Sequence, residues 1–211
     1  MRSFILAFLL VLTPAMAGDA TQPHPHQGVL KPYPQPPKAV PLTAAQEATL
    51  TSGQPVFVRT DGGDQGRGAA VFIVNAPREK VWKVIKSFSS YPYWVDGVKK
   101  CEVYKTSGNN VYVRFVIGKM GVEMEYFIKH MVSADGEWIT WTLDYSRLSD
   151  LDDSVGVWRV VPLPSDPTKS RVEYSVDLKV SSYVPDFVKS YLLDDGIKSA
   201  TQWVKTQAEK P

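Results

Sequence analysis

The chain has 211 residues and a formal net charge of +2, with 44% hydrophobic and 22% charged residues. These are globular proportions, enough for one domain with segments to spare, and they exclude a disordered polar chain or a bundle of membrane spans. Charges of both signs are interspersed, so the basic footprint of a nucleic-acid binder is missing and no nucleic-acid partner is expected.

At the N-terminus Arg2 precedes an apolar run from Phe4 to Leu12, and Ala15-Met16-Ala17 follows. A charged start, a short apolar stretch and an A-x-A site make a signal peptide over residues 1–17, cleaved after Ala17. The run falls short of the roughly 20 residues that span a bilayer. The mature protein is therefore expected in the periplasm or secreted. Residues 18–41 follow as a linker rich in proline: Pro23, Pro25, Pro32, Pro34, Pro36, Pro37 and Pro41. Proline fixes φ and donates no amide hydrogen, which predicts an extended, semi-rigid spacer. His24 and His26 are expected to be solvated there, with no metal site.

The domain is expected over 42–211. Thr43 caps a short helix in "AAQEATL". "PVFVRT" reads as a strand, and Asp61 to Gly68 as the loop after it. That glycine-rich loop lacks the Gly-Lys-Ser/Thr ending of a phosphate cradle. Ala69 to Asn75 is a β-rich run. Pro77 and Glu79 suit a first helical turn, and Val81, Trp82, Val84, Ile85 and Phe88 recur at helical spacing. Tyr91-Pro92-Tyr93-Trp94-Val95-Asp96-Gly97 predicts a second short helix or turn.

After Gly97 the period changes to two. Val111, Val113, Phe115 and Ile117 share one face; so do Val122, Met124, Tyr126, Ile128 and His130. Glu137 to Asp144, Val155 to Val161 and Arg171 to Val180 add further strands, giving an antiparallel sheet buried on one face. Cys101, the only cysteine, falls in such a pattern and reads as a buried structural thiol. Asp150, Asp152 and Asp153 read as a solvated hairpin loop, without the glycine and glutamate of a calcium loop. From Asp186 onward, Val188, Tyr191, Leu192, Ile197, Ala200, Val204 and Ala208 make one apolar helical stripe.

This order resembles the helix-grip fold of the START-like, or SRPBCC, superfamily. The residues that carry the resemblance are Asn75-Ala76-Pro77, Val81-Trp82, Tyr91-Pro92 and Trp94-Val95, then Gly156-Val157-Trp158-Arg159-Val160 and Pro185-x-Phe187. It covers about residues 53 to 208 and is nearest in flavour to the coenzyme-Q-binding and cyclase/dehydrase branch; the leader and proline spacer fall outside it. The resemblance implies an α+β fold: a curved antiparallel sheet wrapped around a long C-terminal helix, with two short helices after the first long strand. It also implies an apolar cavity between sheet and helix.

The expected lining is Val113, Phe115, Met124, Tyr126, Ile128, His130, Trp141, Arg159, Tyr174 and Val176 from the sheet, with Ile197, Ala200 and Val204 from the helix. Parity points Tyr126 and His130 inward and leaves Trp141 and Arg159 open. The expected function is binding, and transport, of a hydrophobic small molecule such as a lipid, a sterol-like compound or a quinone. Transient contact with a membrane or membrane protein is compatible with it, and a monomer is the default. No catalytic residue, metal or cofactor is assigned. One alternative is a cyclase/dehydrase-like or hydrolytic enzyme using His130 or Tyr126 as acid/base, with Thr140, Thr142 and Asp144 as conceivable companions. Another is a partner-binding protein with a filled cavity.

Overall fold

The computed structural model describes residues 18–62, 65–119, 121–180 and 196–211. The expected leader, the Pro185-x-Phe187 motif and the first part of the closing stripe, with Val188, Tyr191 and Leu192, lie outside the described residues. Among the described residues no helix is long and apolar enough to cross a membrane.

Helix α1 (Ala44–Thr51) starts at Thr43, where a reciprocal capping box with Gln46 satisfies two end groups. Strands β1 (Val56–Gly62) and β2 (Gln65–Val74) form a hairpin. Helix α2 (Arg78–Ile85) starts directly after Pro77, which stands at its cap. A 3-10 turn at Phe88–Ser90 leads into the short helix α3 (Tyr91–Trp94). Strands β3 (Val98–Ser107), β4 (Asn110–Lys119), β5 (Val122–Val132), β6 (Trp138–Leu143), β7 (Leu151–Leu163) and β8 (Asp166–Val180) follow, and the helix α4 (Gly196–Ala208) ends the chain.

Among the described residues these eight strands form one open antiparallel sheet in the order β1-β2-β8-β7-β6-β5-β4-β3. Between β2 and β3 the chain crosses the whole sheet, which lays α2 and α3 over its concave face. Helix α4 packs there too, on β2 and α2. The inner face carries one continuous core, from Ala70 and Phe72 on β2 to Ile117 on β4. This is the expected helix-grip arrangement, and its cause is the one-sided apolar sheet that needs a cover.

The glycine-rich stretch differs from its expectation as a loop. Asp61, Gly62 and Gln65–Gly68 are strand, paired through the β1–β2 and β2–β8 ladders. At Gly68 the reason is space: a Cβ would stand 1.8 Å from Ile197 Cδ1, so the missing side chain is where α4 settles onto β2.

The proline-rich segment also differs. Most of its residues are exposed, but it is anchored along the outer face of the sheet rather than free of it. Asp153 on β7 is fully buried and accepts the Val29 and Leu30 N–H groups, both at 2.7 Å, and the Tyr145 hydroxyl at 2.8 Å. Tyr33 donates to Asp177, Gln35 to Thr140, and the Val40 N–H to Glu173 at 3.0 Å. His24, 6% exposed, receives the Ser149 N–H on Nδ1 and directs Nε2 to the Asp152 carbonyl. The "DLDD" residues are therefore anchors, not a solvated hairpin loop: carboxylates on a strand hold a proline-rich chain that has few amide hydrogens, by the ones it has.

Candidate binding cavity

Under α3 and α4 the concave face leaves a cavity of about 180 Å³. Cross-strand neighbours build it. Phe115 on β4 stands opposite Tyr126 on β5, and the rings stack with centroids 5.2 Å apart and planes 7° apart. Trp158 on β7 stands opposite Tyr174 on β8, 4.3 Å between centroids. Aromatic pairs on one sheet face attract beyond their buried area. Trp203 of α4 closes the wall, 4.8 Å from Tyr91 and 6.3 Å from Trp158.

One row across the sheet explains the shape. His130, Trp141, Gly156, Val176 and Gly68 are successive partners on β5, β6, β7, β8 and β2. The Trp141 ring lies across Gly156, where a Cβ would stand 2.0 Å from its Cζ2. Trp141 Nε1 is satisfied by Ser154 Oγ at 3.3 Å. A large ring is thus laid flat against bare backbone, and space remains above it.

The lining is apolar with few polar atoms. His130, 7% exposed, is held neutral: burial lowers its pKa to about 3, against a hydrogen bond to the Val111 backbone that raises it. Its Nδ1 has no hydrogen-bond partner. Burial also pushes up the phenols of Tyr91 and Tyr174 and the Cys101 thiol. Tyr91 is pinned by donating to the Ile85 carbonyl. Asp96 sits at the exposed rim, and no lysine or arginine appears in the lining among the described residues.

Of the expected lining, Phe115, Tyr126, Ile128, His130, Trp141, Tyr174 and Val176 do border the cavity. Val113, Met124, Ile197 and Val204 are buried in the same core but covered by neighbours, so they do not line it. The Ala200 side chain lies outside what is described. Arg159 is a correction: it points to the outer face, where it pairs with Glu173 at 3.4 Å. Trp158 takes the inward position instead. The reading also missed Ile117 and Leu178, which share parity with Phe115 and Val176, and Tyr91, Val95, Asp96 and Val98 around the aromatic turn. Trp203, one residue off the predicted stripe, was missed as well.

The conceivable companions of His130 are engaged elsewhere. Thr140 takes the Gln35 amide on the outer face, Thr142 donates to the Leu143 carbonyl, and Asp144 accepts from Tyr104 and Ser146. His24, His26 and Asp152 also bring ligand-type atoms within 4.8 Å of one another. Both imidazoles accept a backbone N–H on Nδ1, from Ser149 and Gly28. Each therefore carries its proton on Nε2, toward Asp152, where a metal would need a lone pair.

A family profile described as polyketide cyclase / dehydrase and lipid transport matches residues 74–195, more than half of the chain. Solved structures agree on the fold at low identity. The Zhui aromatase/cyclase from Streptomyces sp. R1128 is 16% identical, with a TM-score of 0.58, over 69% of this chain and 94% of that one. The STAR-related lipid transfer protein from Xanthomonas axonopodis is 15% identical, with a TM-score of 0.59, over 74% and 93%. A START superfamily protein from Mycobacterium smegmatis is 17% identical, with a TM-score of 0.56, over 68% and 97%. No curated protein matches the chain.

Proposed function

The chain belongs to the polyketide cyclase / dehydrase and lipid transport family, and on that premise we propose that it is a carrier of an uncharged hydrophobic small molecule, working after export. The observation that carries this reading is the ring-lined cavity, bordered by a histidine, His130, that burial holds neutral. Such a site suits a ligand with an apolar body and no charged head. A carboxylate or phosphate head would find no cation in the lining among the described residues and would be left desolvated there. An apolar cavity of about 150 Å³ takes up benzene. The space here fits a ring system or a short branched chain, such as the ring end of a sterol-like compound or quinone, with any longer tail left at the rim. Tyr93, 86% exposed beside the lining residues Tyr91 and Val95, is the side chain best placed for transient contact with a membrane.

The cyclase or dehydrase alternative would use His130 with Asp96 or Tyr126 of the same lining. A base with a pKa near 3 is poorly matched to proton abstraction at neutral pH, which favours the carrier. The test is native mass spectrometry of protein purified from an exporting host, with organic extraction and titration by an anilinonaphthalene fluorescent probe. A co-purified neutral apolar compound, displaced by the probe, is expected. Neither extractable ligand nor probe uptake would overturn the reading.

A further inference from the structure

The cavity makes no use of the corner where the described chain begins. Gly18 directly follows Ala15-Met16-Ala17. Asp19 is fixed by a two-way bridge with Leu148, its N–H reaching the Leu148 carbonyl at 2.9 Å and the Leu148 N–H returning at 3.0 Å. That bridge sets Gly18 against β5. A Cβ on Gly18 would stand 2.8 Å from the Glu125 carbonyl oxygen and 3.1 Å from both Glu125 Cβ and the Leu148 oxygen. The first two are parts of the sheet backbone and its root, so a side chain here has nowhere to go.

Asp150 shares this corner. Its carboxylate accepts the Glu125 N–H at 2.6 Å, and its own N–H donates to the Glu125 carbonyl at 2.8 Å. The Glu125 charge is also near enough to act on Asp150. Glu125 has the Arg114 guanidinium at 2.6 Å, whereas Asp150 forms no ion pair with a lysine or arginine among the described residues. Burial, and to a smaller degree the Glu125 charge, push the Asp150 pKa up; hydrogen bonds from the Glu125 and Gly18 backbones oppose that.

We propose that Gly18 is the first residue of the mature chain and that the α-ammonium freed by cleavage after Ala17 seats on Asp150 as the cation this corner lacks. Cleavage is hydrolysis: water gives its hydroxyl to the Ala17 carbonyl carbon and a proton to the Gly18 nitrogen as the C–N bond breaks. The new amine takes a second proton at neutral pH. A single neutral N–H donor becomes a charged group with three donors, beside a carboxylate already oriented by Glu125. The ion pair can form only after the leader is gone, so processing and the last fastening of the outer segment are one event.

The first test is the intact mass of the full gene product exported by a bacterial host, which is expected to begin at Gly18. The second compares melting of that chain with the same chain N-acetylated and with one extra alanine before Gly18. Both changed forms are expected to melt lower by on the order of 2–4 °C, and the Asp150→Asn variant to abolish the difference. A readout that needs no variant is the titration of the isotope-labelled Gly18 amine. The groups facing it are Asp150 and Glu125, with Arg114 behind Glu125 and Asp19 next in the chain. Its pKa is expected above the roughly 7.7–8.0 of an ordinary N-terminus. A mature chain that begins elsewhere, equal melting of the three forms, or an amine at its ordinary value would each overturn the proposal.

Discussion

The two faces of the sheet are built from the same strands and do opposite things. On β7 and β8, Ser154, Trp158 and Tyr174 turn inward, while their neighbours Asp153, Arg159 and Glu173 turn outward. The inner face meets its cover through rings and leaves space. The outer face meets residues 24–41 through carboxylates and leaves little unsatisfied: Glu173, 1% exposed, holds Arg171 at 2.8 Å, Arg159 at 3.4 Å and the Val40 N–H. The difference teaches a division of labour. Hydrogen bonds are directional and fix one geometry, so they suit a segment that stays in place. Apolar contact is non-directional and tolerates exchange, so it suits a ligand that comes and goes.

The sharpest way to break this comparison is Asp153→Ala. It strands two backbone donors and a tyrosine hydroxyl on the outer face and is expected to cost about 3 kcal/mol in a denaturant titration. Probe affinity of the remaining folded protein should not change; a parallel loss would mean that the two faces act as one. Next in size is Gly156→Ala. The added methyl would collide with the Trp141 ring, lowering stability by about 2 kcal/mol and abolishing probe uptake, with a shift in tryptophan fluorescence as the witness.

The smallest effect is one of pH. In the unfolded chain His130 binds a proton near its ordinary 6.5, but when folded only near 3. Between those values the unfolded state holds more protons, so stability falls as pH falls, by at most about 1.4 kcal/mol per pH unit. In His130→Gln this contribution is absent, while His24 and His26 remain in both proteins. The stability difference between wild type and variant should therefore shift against the wild type by about 1–2 kcal/mol between pH 7 and pH 5. A constant difference would place the histidine in contact with water.

Much of the inner face was legible because alternation works where one side of a strand is wet. Phe115, Tyr126, Ile128 and His130 fall on the predicted side for that reason. On β7 the rule fails. Residues 153–158 are buried without a break, since residues 24–41 cover the other side; parity there cannot separate Trp158 from Arg159. The cover itself was illegible because proline-rich chains are normally solvated, and buried aspartates are uncommon enough that "DLDD" reads as a loop. Val113 and Met124 show a further limit. Facing inward is written in the sequence, but whether a neighbour fills the space in front of a side chain is a property of the assembled core.

The open ends of the sheet carry a last consequence. At one margin β3 has no strand partner beyond β4 among the described residues, and such an edge is the kind of template on which a fibre can grow. Its residues there include Lys99, Lys100 and Lys105, and its ladder with β4 slips at two points, between Val98 and Lys100 and between Val103 and Lys105. Charge and irregularity together make that border a poor partner for another strand, which guards a binder with a sticky interior against clumping when it is crowded.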